Sequence, residues 1–170
     1  MLNYKNLIYC FTCLFFSIII GGAIYEHMAV VPYWSAAPPR SLSMFQGEYG
    51  LNPASFWQTV HPITIVLFIL TLIANWKSAR RINILFSFVI YVLILVSTAL
   101  YFVPELLEIT STPFAQTVDP ELTRRAKLWE TLSLLRLAVL LVLSVNLGLG
   151  MTKNPLENNR FYAAPESPAK

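Results

Sequence analysis

Charge is scarce in this sequence. Only 12% of its 170 residues are Asp, Glu, Lys or Arg, while 56% are apolar. Soluble domains carry roughly 25% charged residues. A water-soluble fold of this composition lacks the polar side chains to cover its surface, and a lipid-facing surface removes that need. The net charge of +3 is small and scattered. There is no basic patch interleaved with aromatics and no glycine-rich phosphate loop, so nucleic acid is excluded as a partner. Cysteine is scarcer still: Cys10 and Cys13 are the only two. A disulfide framework or a cysteine metal knot needs more. A thiol relay to quinone wants a second pair on the opposite side of the membrane, and that pair is missing. Both cysteines read as small apolar packing residues.

What the chain has in quantity is long uncharged runs. Roughly 20 apolar residues cross a bilayer core. Four segments have that length: about Leu7–Glu26, Ser55–Trp76, Ile82–Glu105 and Leu128–Met151. Lys5 ahead of a long apolar run invites a signal-peptide reading. The run from Asn6 to Tyr25 is too long for that, and no small-x-small site follows, so a retained helix is expected. The fold expected is all-α, an integral membrane four-helix bundle running up-down-up-down. Residues 1–151 form the transmembrane domain and 152–170 a mobile cytoplasmic tail.

The connections differ in kind. Lys77–Arg81 is short and basic and makes a tight hairpin. The first connection, about His27–Ala54, is rich in Pro and aromatics (Pro32, Tyr33, Trp34, Pro38, Pro39) and reads as ordered irregular chain at the interface. The third, about Leu106–Lys127, ends in a helix start, with Asp119 as cap, Pro120 in the first position and Glu121 suited to the dipole. With the N-terminus inside, the inner side holds Lys5, Lys77, Arg80, Arg81, Lys153, Arg160 and Lys170, and the outer side Arg40, Arg124, Arg125 and Lys127. The positive-inside rule then puts both termini in the cytoplasm of a cell-membrane protein. Arg124, Arg125 and Lys127 argue the other way.

Polar residues gather where the helices meet the outer side. Tyr25, Glu26 and His27 close the first helix, and Trp57 and His61 open the second. Thr98, Tyr101 and Glu105 close the third, and Trp129, Glu130, Ser133 and Arg136 open the fourth. The opposite ends have basic anchors and nothing comparable. Trp57, His61, Thr64 and Thr71 share one helical face, as do Tyr91, Thr98 and Glu105, and Trp129, Ser133 and Arg136. Hydrocarbon cannot satisfy polar groups, so these faces turn inward. Arg136 lies about two turns past Trp129, roughly 10 Å along the axis. Unpaired there, it costs about 2.5 kcal/mol or more. Its expected partner is Glu26 or Glu105.

Each residue also has a plainer reading. Arg136 is a strut between helices, His61 a satisfied interfacial histidine, and Glu26 and Glu105 are interfacial acids. Thr64 and Thr71 bond their own backbone. His27 marks a helix end, Glu130 is exposed, Pro104 kinks the third helix, and Gly21 and Gly22 let helices approach.

The motifs G-x-x-Y-E-H with P-x-W (Gly22 to Trp34), F-W-x-x-x-H-P (Phe56 to Pro62), Y-F-V-P-E (Tyr101 to Glu105) and R-R-A-x-x-W with a downstream Arg (Arg124 to Arg136) resemble the anthrone-oxygenase-like membrane family. Most of its members are bacterial and of unknown function; a few fungal ones oxidise anthrones with dioxygen. The resemblance spans about Gly21–Arg136. It implies this architecture and these site residues, and oxidation of a lipophilic substrate. Glu105 after the V-P is a departure from the fungal members.

Two functions follow as alternatives. In the first, the bilayer delivers a small lipophilic molecule to a site near the extracytoplasmic face, where it is bound or oxidised. Glu26 or Glu105 serves as base, His61 as relay and Arg136 as holder of an anionic oxygen. Tyr25, Trp57, Tyr101 and Trp129 wall the ligand, with Thr98 and Ser133 beside it. A metal version would use Glu26, His61 and Glu105, but Arg136 competes for the acids and only one well-placed His is present. No motif identifies a cofactor. In the second, the chain is a non-catalytic subunit or scaffold, and the polar cluster is structural.

Overall fold

The computed structural model describes residues 3–153. Asn3 caps the first helix by accepting the Lys5 N–H at 3.1 Å, and α1 runs Tyr4–Ala29. A single turn, α2 (Val31–Trp34), and a 3-10 turn over Arg40–Phe45 occupy the first connection. α3 (Ala54–Ala74) and α4 (Arg81–Ser97) are joined by the short basic hairpin. A π turn, Thr98–Phe102, and then α5 (Val103–Thr110) continue α4 without a break. α6 runs Pro120–Thr152. Asp119 caps it as its sequence anticipates, accepting the N–H groups of Glu121 and Leu122 at 2.8 and 3.1 Å. The tail expected after Lys153 lies outside the described residues.

Four helical stretches are long and apolar enough to cross a membrane: Tyr4–Trp34, Ala54–Ala74, Arg81–Thr110 and Pro120–Thr152. Within their most apolar windows only 17–28% of residues are buried inside the protein, so most of these side chains point outward. Outward Leu, Ile and Val in such numbers are at home only in lipid. The protein is an all-α, up-down-up-down four-helix bundle of membrane type.

The mid-bundle core is aromatic. Phe16 of α1 meets Phe68 of α3 and Tyr91 of α4 edge-on at 5.6 and 5.3 Å. Thr12 and Thr71 bind hydroxyl to hydroxyl at 2.6 Å between α1 and α3, so Thr71 joins two helices instead of serving its own backbone. Thr64 does the expected thing and donates to Val60 O at 2.8 Å. A Cβ on Gly22 would meet the Phe56 ring at 2.7 Å, so Gly22 allows α1 and α3 to approach. Gly21 faces open space and has no such role. Cys13 packs against the core, but Cys10 is exposed and is not a packing residue.

The bundle has two unlike ends. The terminal end carries the start of α1, the α3–α4 hairpin and the end of α6; the far end carries the other two connections. Contrary to expectation, the terminal end is also polar. Buried Arg80 donates to Asn6 Oδ1, Lys153 O and Met151 O at 2.6, 2.9 and 3.1 Å. Asn83 and Asn146 exchange amide bonds, Lys153 Nζ donates to Asn83 Oδ1 at 2.7 Å, and Tyr9 donates to Leu147 O at 2.6 Å. These bonds join α1, α4 and α6.

At the far end a second core gathers Val31, Trp34, Leu42, Phe102, Ile109 and Trp129. The first connection is ordered, as expected, but for a different reason. Trp34 is only 1% exposed and packs edge-on against Trp129 at 5.5 Å, so it is a core residue and not an interfacial anchor. The first and third connections are tied together by the Asp119 N–H bond to Pro38 O, 2.9 Å.

Candidate functional site

A cavity of about 850 Å³ occupies the far half of the bundle. α3 and α4 are in contact at Phe68 and Phe88, stacked at 5.5 Å. From Tyr91 onward the α4–α5 helix lines a cavity instead of packing on α3. Most of the lining is apolar, including Ile19, Ile94, Leu95, Leu137 and Leu140. Leu51, Ala54, Gln58, Val103, Leu107 and Glu108 are both lining and exposed, so the mouth lies between the start of α3 and α5. Its volume and mostly apolar lining fall within the range of small-molecule pockets.

Seven of the ten expected site residues line it: Glu26, Trp57, His61, Thr98, Trp129, Ser133 and Arg136. Tyr25, Tyr101 and Glu105 do not. Tyr25 is 65% exposed: it directly precedes Glu26, and roughly 100° of helix rotation separates neighbours. Tyr101 is 36% exposed, and Glu105 is turned away for a cause the sequence pattern hid. The Val103 N–H bonds to Thr98 O, five residues back. That π turn inserts one extra residue, which sets the phase back by roughly 100°. The seven-residue spacing holds from Tyr91 to Thr98 and fails from Thr98 to Glu105. Pro104, just after the turn, has no N–H to give to Leu100. The disruption expected from it takes the form of this π turn.

Glu105 faces α6, where Arg125 grips it through two bonds, Nε to Oε1 at 2.8 Å and Nη2 to Oε2 at 2.9 Å. Arg125 also reaches Glu108 at 2.9 Å. This corrects the expected Arg136 pairing. Arg136 has no acid within 4.0 Å among the described residues. Its Nη1 donates to Thr98 Oγ1 and its Nη2 to Ser133 Oγ, both at 2.9 Å. Its guanidinium lies over the Phe102 ring, 4.2 Å from the centroid. Two of five N–H groups are thus engaged by neutral oxygens.

A second chain of contacts crosses the cavity floor. Glu26 Oε1 accepts the Trp57 indole N–H at 2.8 Å. Trp57 stacks on His61, 5.3 Å between centroids and 20° between planes. His61 Nδ1 bonds the Tyr91 hydroxyl at 2.8 Å. Nε2 of His61 makes no hydrogen bond among the described residues. Three helices therefore fix the ring and leave one nitrogen without a partner among the described residues.

His27 lies in the last turn of α1, as expected of a residue at the helix end, and it has a further place in the structure. It lines the cavity, and its Nε2 lies 3.1 Å from Ser133 Oγ, with its Nδ1 buried and unpartnered. Its place beside Glu26 was the available signal. Glu130, expected to be exposed, has a side chain only 18% exposed. It accepts from Ser35 at 2.8 Å and Lys127 at 2.9 Å, which fastens α2 to α6. Among the described residues no three His, Cys, Asp or Glu lie close enough to hold a metal ion. The Glu26–His61–Glu105 version fails in particular because Glu105 belongs to Arg125.

The sequence and structure were compared with family models, with curated proteins and with solved structures, and none of them matches this chain.

Proposed function

We propose that this membrane protein binds a small lipophilic molecule in the far-end cavity, with an acidic or hydrogen-bond-accepting head at Arg136. The observation that carries the proposal is the state of Arg136: a cation inside an apolar cavity, without an acid partner among the described residues, with donors left over. An anionic oxygen supplies what the protein withholds. The mouth between α3 and α5 suits delivery from the bilayer. Trp57, Phe102 and Trp129 favour a flat aromatic body. Glu26 and His61 are the groups able to exchange a proton with the bound head.

On the positive-inside rule the termini and the basic hairpin are cytoplasmic, which puts this site near the extracytoplasmic face. The resemblance to the anthrone-oxygenase-like family supports an oxidisable aromatic as the bound class. In that reading the chain is an oxidoreductase; in its simplest form it is a binding protein.

The second reading is a non-catalytic subunit whose polar cluster is structural. It is favoured by the Arg125–Glu105 and Ser35–Glu130–Lys127 ties, which join elements and touch no cavity. Native mass spectrometry of gently extracted protein, with elemental analysis, separates the two. A stoichiometric lipophilic adduct that is lost in Arg136→Leu supports binding. A bare chain, or one bound only to another protein, supports the scaffold.

A further inference from the structure

All the acids among the described residues (Glu26, Glu48, Glu105, Glu108, Asp119, Glu121 and Glu130) belong to the far half. The terminal end holds Lys5, Lys77, Arg80, Arg81 and Lys153 with no acid among the described residues. Two of these cations are committed internally. Arg80 is bonded to three oxygens and Lys153 Nζ to Asn83 Oδ1. Arg81 lies over the Trp76 ring at 5.4 Å. The side chains of Lys5 and Lys77 make neither an ion pair nor a hydrogen bond among the described residues.

Those two lysines line one groove of about 490 Å³ between α1 and α3, with Tyr4, Ile8, Leu70, Ile73, Ala74 and Trp76. The arrangement is layered. Lys5 and Lys77 sit at the helix ends, the half-exposed aromatics Tyr4 and Trp76 sit at the same level, and Ile8, Leu70 and Ile73 lie deeper along the helices. The α1 N-terminus and the α3 C-terminus are adjacent here and their dipoles oppose, so the positive field comes from the lysines.

We propose that this groove is a binding site for one anionic phospholipid, with its phosphate between Lys5 and Lys77 and an acyl chain along Ile8, Leu70 and Ile73. The charge selects an anion, and the aromatic level marks the headgroup depth. The apolar floor directly beneath selects a lipid over free phosphate. The site is separate from the far-end cavity and does not rest on the reading of it.

The test uses the full chain in nanodiscs and in native mass spectrometry, with phosphatidylglycerol against phosphatidylcholine. Phosphatidylglycerol is expected to remain bound as one tight adduct and to raise the melting temperature. Near a membrane surface about 1 kcal/mol accompanies each basic residue, so Lys5→Gln with Lys77→Gln should weaken retention about 30-fold. The charge-matched pair Arg40→Gln with Arg124→Gln, at the other end, should leave it unchanged. Both pairs are surface changes that spare the Arg80 network. Equal retention of the two lipids overturns the proposal. So does full retention in the lysine pair, or displacement of the lipid by inorganic phosphate.

Discussion

Arg125 holds Glu105 in a two-point grip, at 2.8 and 2.9 Å, while Arg136 has no acid within 4.0 Å among the described residues. One arginine becomes a strut between α5 and α6, and the other keeps its charge for the cavity. The two residues should answer mutation differently.

Arg125→Met should cost about 1.5–3 kcal/mol of stability, the range for hydrogen bonds to charged groups. The side chains are only 25% and 19% exposed, so screening is limited. Glu105→Gln should lose less, since its amide keeps one acceptor. Thermal unfolding in detergent reads the loss, and ligand retention in both variants should be unchanged.

Arg136→Leu should do the reverse. Removing a cation from an apolar site relieves a desolvation cost, so the melting temperature should hold or rise. Binding of a lipophilic acid should weaken by about 10- to 150-fold, the equivalent of one or more charged hydrogen bonds. A binding titration measures it.

Tyr91→Phe keeps the shape of the core and removes the hydroxyl on His61 Nδ1. With His61→Phe it forms a double-mutant cycle. The coupling should be about 1 kcal/mol, read from denaturation midpoints. Zero coupling would mean that Tyr91 does not orient the ring.

Gly148 and Gly150 lie two residues apart on α6 and should respond with opposite signs. A Cβ at Gly150 would collide with the Tyr9 hydroxyl and come within 2.7 Å of Asn83 Cβ. Gly150→Ala should destabilise by about 1–3 kcal/mol. Gly148 has nothing within 4 Å, and Gly148→Ala should stabilise by roughly 0.5–1 kcal/mol from helix propensity. Thermal shifts of the two variants check both signs.

The four spans, the Asp119 cap and the inward face of Trp129, Ser133 and Arg136 were legible because each rests on local periodicity or hydropathy. Two things were not. A strict helical period cannot register a π turn: it points Glu105 at the cavity, and the Thr98–Phe102 turn rotates it away. Pairing between helices is not local either: that Arg125 and not Arg136 meets Glu105 depends on that rotation. The polarity of the terminal end was hidden for a similar reason. Asn6, Asn83 and Asn146 look unremarkable singly and become a network only when α1, α4 and α6 converge on Arg80.

The most direct test of Arg136 as an anion seat is a matched pair of ligands, 2-naphthoate and 2-naphthylmethylamine, titrated against tryptophan fluorescence. The ring is shared and the charge is opposite. Binding of the carboxylate with little binding of the amine, and loss of that preference in Arg136→Leu, is the predicted result. Equal binding of both by the unaltered protein, or a preference that survives Arg136→Leu, would contradict it.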